Sequence, residues 1–570
     1  MMTPRRRLTL AALLLGAAIA LFAPPAAAQE ATISALNEAI GNWQLPEAKN
    51  ILDTLESGGE PSAELMFQHA RYDYFSGSYA TALDRIDQAV ALSGGDNARY
   101  AALRATVAAT AEVVKDYKEF KSPNGYFVVR VEPGKDELLV PYAFETLEAA
   151  YERLGDTFGH RPPPPVVVEI YPKAATLAKV SGLTEDEIKT SGTIALCNNN
   201  RLMFTSPKAL VKGYTWRDTL SHEFAHLVIT QKSNNTVPIW MHEGLAKYNE
   251  RVWRGVGNHL MSPSSENLLA KAVTSDELIT FEQMHPSMAK LPSQEATALA
   301  FAEVYTVMEF VHRKQGDAAF SRLLELMREK EDAKAAITEL LKVPSFERFQ
   351  KDWMAYLRSR PSKTFDEEAV FIEKLEFAGD KQESELLEIG KKEARDYIRL
   401  GEMLQVRERY AAAVVEYQKA RELIGDHNPI LQTRLGRSLI TIGRHEEAAE
   451  ALAGSLAYYP NYHTTHLLLG EALLKAGELE RAETHLMEAL GINPFDPAVH
   501  ENLAALYTRQ DRAEDASRAR ENLRLASQEG RSCEGASGVV ESTTRNEGRR
   551  LGGSRPEDDA KPLEDRTNFV

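Results

Sequence analysis

Residues 215–230 place His222, Glu223 and His226 in the order His-Glu-x-x-His. A helix turns about 100° per residue, so His226 lies about 40° round from His222 and Glu223 about 100° round, and all three address one site. Two imidazoles and a carboxylate on one face are the equipment of a zinc hydrolase.

Catalytic zinc takes three protein ligands and keeps one position open. Beyond the polar turn 232–236 and Pro238, residues 239–250 read as a second helix antiparallel to the first, and its Glu243 can point back at the two histidines. Glu243 is the favoured third ligand, and its neighbour His242 is the alternative. A third histidine after a glycine soon downstream, the metzincin continuation, is absent, since Ile229 and Lys232 occupy those places.

Around this site the chain resembles the gluzincin metallopeptidases of the thermolysin-like class, and more closely the bacterial peptidase MA-like domains. Those show His-Glu-x-x-His, then proline and tryptophan, then Glu-Gly-x-Ala-x-Tyr; here Pro238, Trp240, Glu243, Gly244, Ala246 and Tyr248 follow in that order. The resemblance extends over about 117–360. It implies one zinc ion per chain held by His222, His226 and Glu243, with Glu223 as general base and proton shuttle for a water attacking a peptide carbonyl. Related enzymes supply an oxyanion donor from a later helix, for which Tyr305 is the first choice, with His312 and Tyr214 behind it. The chain departs from its relatives in three places: Phe301 and Val304 stand where tyrosine and serine are common, and Lys247 stands where thermolysin has an aspartate that orients a histidine. Asp218 and Glu250 are the candidates for that orienting role.

The elements that must position these residues follow from patterning. Residues 126–131 and 165–171 read as strands flanking a helix over 137–158, and 192–197 with 201–205 as a hairpin through three asparagines. This mixed sheet is similar to the N-terminal lobe of gluzincins, whose edge strand pairs with extended substrate. Residues 254–294 read as loop-rich, and helices over 296–314, 318–331 and 346–358 resemble the family's helical lobe. Cys197 reads as a small buried residue.

Helical repeats flank this domain. Gly401, Gly436, Gly470 and Ala504 fall at near-constant spacing, and each is followed twelve residues later by alanine: Ala413, Ala448, Ala482 and Ala516. That is a tetratricopeptide signature, in which stacked helical hairpins offer a concave surface to a protein partner or brace the neighbouring domain. Ala70, Gly77, Ala82 and Ala89 hold similar offsets, as one repeat or a plain helical hairpin.

Three arginines, an apolar run over 8–22 and a small-x-small ending at Ala28 read as a signal peptide, so the chain is expected to be exported, to the periplasm or outright. The net charge of −16, without basic runs, argues against nucleic acid as the main partner. Cys197 and Cys533 imply no disulfide framework. The expected organisation is a signal peptide (1–28), a helical tetratricopeptide-like segment (29–116), a gluzincin peptidase domain (117–360), a helical linker (361–395), a repeat array (396–526) and a disordered tail (527–570). The fold class is α+β: a thermolysin-like domain with a mixed sheet lobe and a helical lobe, flanked by all-α repeats. The expected function is an exported zinc metallopeptidase whose repeats recruit a protein substrate or partner, and no later run of the chain is long and apolar enough to span a membrane. The rival expectation is an inactive repeat scaffold of the cell envelope.

Overall fold

The computed structural model describes residues 25–57, 62–95, 97–255, 259–360, 365, 375–379 and 385–528. Nearly all of the expected signal peptide and of the expected disordered tail lies outside these residues. The described residues form a mixed α and β molecule, 69% helical, with one small mixed sheet and helical repeats towards the C-terminus.

The first elements are helices α1 (Pro25–Gly41), α2 (Leu45–Glu56), α3 (Ala63–Phe75), α4 (Tyr79–Leu92) and α5 (Ala98–Val114). Ala70, Ala82 and Ala89 are fully buried, and such small side chains let α3 and α4 approach closely.

The sheet is built from β1 (Lys118–Lys121), β2 (Phe127–Val131), β3 (Val166–Tyr171), β4 (Ala195–Asn198) and β5 (Arg201–Thr205), in the order β1-β2-β3-β5-β4. The pairs β2–β3 and β3–β5 are parallel, whereas β1–β2 and β4–β5 are antiparallel. Helix α6 (Val140–Phe158) makes the first crossover, and α7 (Ala174–Ser181) with α8 (Glu185–Ser191) precedes the β4–β5 hairpin. That hairpin turns through Asn199 and Asn200, both at positive φ, a conformation asparagine tolerates better than most residues.

Both faces of the sheet are covered, which explains why β2 and β3 are almost continuously apolar. On one face Phe127 meets Phe224 at 5.7 Å. On the other, Glu169 of β3 and Arg201 of β5 form a fully buried ion pair at 3.0 Å. Arg201 also donates to Tyr79 Oη (2.8 Å) and Tyr74 Oη (2.6 Å), and Arg130 donates to Gly77 O (2.8 Å). The amino-terminal helices are docked through this network, on the side of the sheet away from Phe224.

Among the described residues, seven α-helices complete the middle of the chain. Helices α9 (Trp216–Ser233) and α10 (Ile239–Asn249) carry the His-Glu-x-x-His motif and Glu243. The stretch 254–294, expected to be loop-rich, contains α11 (Pro263–Ser275), which starts at a proline after a Ser262 cap. Then come α12 (Gln294–Gln315), α13 (Ala319–Lys330), α14 (Ala333–Leu341) and α15 (Phe346–Ser359). Of the expected helical linker, residues 375–377 are extended and 378–379 turn, with Phe377 bridged to Leu210, because backbone partners on 209–211 take their hydrogen bonds.

The repeat helices are α16 (Lys392–Val406), α17 (Tyr410–Ile424), α18 (Pro429–Thr441), α19 (His445–Leu456), α20 (His463–Ala476), α21 (Leu479–Ile492), α22 (Pro497–Arg509) and α23 (Ala513–Ala526). They do not stand clear of the preceding domain. Trp216 Nε1 donates to Leu490 O (3.1 Å), Tyr214 N to Ile492 O (3.0 Å) and Asn522 Nδ2 to Tyr142 Oη (2.9 Å). Arg254 bridges Asp218 of α9 and Glu488 of α21.

Candidate metal centre

Helix α9 ends in a left-handed Asn234, and after a four-residue turn Pro238 starts α10. The two helices bring His222, His226 and Glu243 together: one ligand atom of each lies within 4.8 Å of the others. Glu243 Oε2 stands 3.2 Å from His222 Nε2 and 3.4 Å from His226 Nε2. All three side chains are buried. Burial opposes a charge on Glu243, yet the facing His226 and His222 hold its carboxyl well below the usual range. Burial likewise opposes a charge on His222, but its hydrogen bonds to Glu243 and Glu250 push it up to about 10. The cluster therefore calls for a positive charge between its three donor atoms. Two imidazoles and a carboxylate in that arrangement fit a zinc ion.

The imidazoles are oriented from behind. His222 Nδ1 donates to Glu250 Oε2 (3.3 Å), and Glu250 Oε1 accepts from Lys247 Nζ (2.7 Å). Thus Lys247, in the place of the family's aspartate, holds the carboxylate that holds His222. His226 Nδ1 lies 2.6 Å from His242 Nδ1, and His242 Nε2 lies 3.1 Å from Thr230 Oγ1. Burial, together with His226, keeps the imidazole of His242 well below its ordinary range, hence neutral. With His226 Nε2 turned to Glu243, its Nδ1–H donates to His242, whose Nε2–H then donates to Thr230. His242, the alternative third ligand on sequence grounds, is behind the cluster rather than in it, because its ring bonds His226 Nδ1 and Thr230 instead. Asp218 lies elsewhere, accepting from Trp253 Nε1 (2.8 Å) and Arg254 Nε (2.7 Å).

Glu223 is 5% exposed, and its Oε2 has no hydrogen-bond partner among the described residues. Burial raises its carboxyl above the usual value, against the pull of His226 and His222. A backbone hydrogen bond ties it to Cys197 of β4. Cys197 itself is buried, and its thiol is pushed well up by burial and by Glu223.

These groups line a cavity of about 300 Å³, walled by residues 191–197 on the sheet side and by Thr297, Phe301 and Met288 on the helical side. None of residues 25–116 lines it. Tyr305 does not line it either: its ring packs 5.2 Å from that of Tyr248, and Phe301, one turn earlier on α12, faces His222 at 6.1 Å. Tyr214 lines the cavity but donates its hydroxyl to Thr205 O (2.6 Å). His312 is bonded to Tyr248 Oη (2.8 Å) and Asp317 (2.9 Å), away from the cavity. A wall residue without any sequence signal is Leu375, more than a hundred positions from the motif.

Among solved structures, yeast LTA4 hydrolase is 13% identical over 72% of this chain and 67% of its own, with a TM-score of 0.27. MamA residues 41 to end from Desulfovibrio magneticus RS-1 is 24% identical over 25% of this chain and 79% of its own, with a TM-score of 0.22. Likeness at this level carries no argument here. No curated protein matches the chain. Residues 146–359 match the family model of the Peptidase MA superfamily and residues 439–506 that of a tetratricopeptide repeat, so the chain carries a peptidase MA-like domain followed by tetratricopeptide repeats.

Proposed function

We propose that the chain is an exported zinc metallopeptidase of the gluzincin type, active in the periplasm or outside the cell, whose repeats recruit or position a protein. The observation that carries this reading is the buried cluster of His222, His226 and Glu243 beside a Glu223 carboxylate whose Oε2 has no partner among the described residues. Export is supported by the basic and apolar character of residues 1–28.

His222, His226 and Glu243 would hold the zinc, which when bound supplies Lewis acidity and a water of lowered pKa. Glu223, whose carboxyl burial raises above its ordinary value, is suited to take a proton from the attacking water at its Oε2 and return it to the leaving amine. Its other tether, the Cys197 backbone, couples the base to the edge strand β4, whose outer side has no neighbouring strand among the described residues. A peptide laid along that edge would be held by its backbone with its carbonyl near Glu223.

The rival reading, a scaffold that retains only the fold, draws on Phe301 facing His222 and Tyr305 turned away, which leaves the oxyanion donor unassigned. The deciding experiment compares wild type with Glu223→Gln for zinc content and for hydrolysis of casein or a peptide library. The expected result is about one zinc per chain in both and a loss of hydrolysis of about 10²-fold or more in the variant, as removal of a general base produces. Wild type without zinc and without hydrolysis overturns the reading in favour of the scaffold.

A further inference from the structure

Between α15 and α16, the described residues 375–379 form a strap at the edge of the cavity. Residues 376–378 run alongside 209–211: Val211 N donates to Glu376 O (2.9 Å), Ala378 N donates to Ala209 O (2.7 Å), and Phe377 is the antiparallel partner of Leu210. The Phe377 ring is 4% exposed, whereas Ala378 and Gly379 beyond it are exposed. At the other end, Leu375 N donates to Gln294 Oε1 (3.0 Å) in the first turn of α12, and Leu375 lines the cavity. A Cβ added to Gly192, just before β4, would stand 3.3 Å from both Leu375 Cδ1 and Gln294 Cδ. Sheet wall, helical wall and strap therefore meet at Gly192.

We propose that residues 375–378 are a gate on the cavity. Latched as seen here, the strap stops an extended chain from lying along β4 past Gly192; release of Phe377 opens that path. Three hydrogen bonds and one buried ring hold the strap, a small latch beside α9, which is buried along nearly its whole length, so it can open without unfolding the domain. Further along, Glu385 pairs with Lys212 (3.3 Å), next to the strap's partner segment, and with Arg434 of α18 (3.7 Å). The gate is thus tied to the repeat array. What passes it rests on the peptidase reading; the gate itself does not.

The test locks the latch. In an antiparallel bridge the paired Cα atoms lie about 4.5–5.5 Å apart, inside the range of about 4.4–6.8 Å that a disulfide spans, so Leu210→Cys with Phe377→Cys can cross-link strap to wall. Oxidised, this variant is held shut; reduced, it lacks the latching ring. Two readouts are taken on each form: carbethoxylation of His222 and His226 by diethyl pyrocarbonate in metal-free protein, mapped by mass spectrometry, and hydrolysis of casein by zinc-loaded protein. The expected result is that both rates rise about five-fold or more on reduction. Equal carbethoxylation in the two forms overturns the gate. If access follows the redox state while no form, wild type included, hydrolyses anything, the gate stands and the peptidase reading falls. If hydrolysis occurs and neither rate responds to reduction, the gate falls and the peptidase reading stands. Gln294→Ala, which cuts one tether and leaves Leu210 and Phe377 intact, guards against a misfolded double variant: with an unchanged far-UV spectrum it should raise carbethoxylation, and wild-type access in it would also overturn the gate.

Discussion

At the scale of single residues, the site is a set of side chains each held by another. Glu250 and His242 touch the imidazoles of His222 and His226 on the nitrogens turned away from Glu243. Partners of this kind tune a metal site by about 10–100-fold in affinity. Glu250→Gln and His242→Ala are each expected to weaken zinc by that factor, measured by competition with a chelator of known affinity, while leaving the far-UV spectrum unchanged. A second residue, Glu303, is buried with one oxygen accepting from Ile279 N (2.9 Å) and the other unpartnered. Burial pushes its carboxyl from the ordinary 4.5 up to about 8, relieved slightly by the Ile279 amide. The folded chain then keeps a proton that the unfolded chain has released. The stability this group contributes is whole below pH 4.5, falls between pH 4.5 and 8, and is level above that window, by up to about 1.4 kcal/mol per pH unit. Glu303→Gln removes the ionisation and keeps an acceptor. Its melting temperature relative to wild type should therefore rise across that window, as a pH series of thermal melts would show; parallel curves would refute the assignment.

At the scale of elements, the decisive contact is that of α10 with α12. A Cβ on Gly244 would stand 2.8 Å from Val304 O, a backbone atom that cannot swing aside. Gly244→Ala gains helix propensity but pushes α10 off α12, next to Glu243. Overpacking of this kind costs about 1–3 kcal/mol, and zinc affinity should fall with it. Calorimetry and zinc content check both; a variant more stable than wild type would show that the helices have room. The glycine and alanine of the family's Glu-Gly-x-Ala were legible as motif letters. Their reason, two helices in near backbone contact, was not, because Val304 is sixty positions away. The same holds for Tyr305. The family resemblance pointed to Tyr305 on this helix, and only packing against Tyr248 turns its ring away from the cavity that Phe301 lines.

At the scale of the whole molecule, the repeats are built onto the peptidase domain. Gly213 has φ +71° and a Cβ there would clash with the backbone oxygen of Ile492, so the turn before α9 is shaped to receive the end of α21. Gly213→Ala is expected to undock the array, splitting one calorimetric transition into two and lowering the first by several degrees; a single unshifted transition would mean the docking contributes little to cooperativity.

The amino-acid sequence by itself determined the local pieces. The His-Glu-x-x-His helix, the Glu243 helix, the Asn199–Asn200 hairpin turn and the repeat periodicity all rest on spacings no longer than one helical hairpin, where helix pitch and turn chemistry act directly. Strand β1 and helices α7, α8, α11 and α14 escaped notice, being short or lying in stretches whose prolines and polar residues read as loop. Only the tertiary structure decided which groups stand behind the imidazoles, that the amino-terminal helices cover the far face of the sheet, that the repeats are docked beside α9, and that Leu375 closes the cavity wall. Each of these is a contact between residues tens to hundreds of positions apart. No local period encodes such pairs; they are selected by burial and hydrogen-bond satisfaction once the chain has packed.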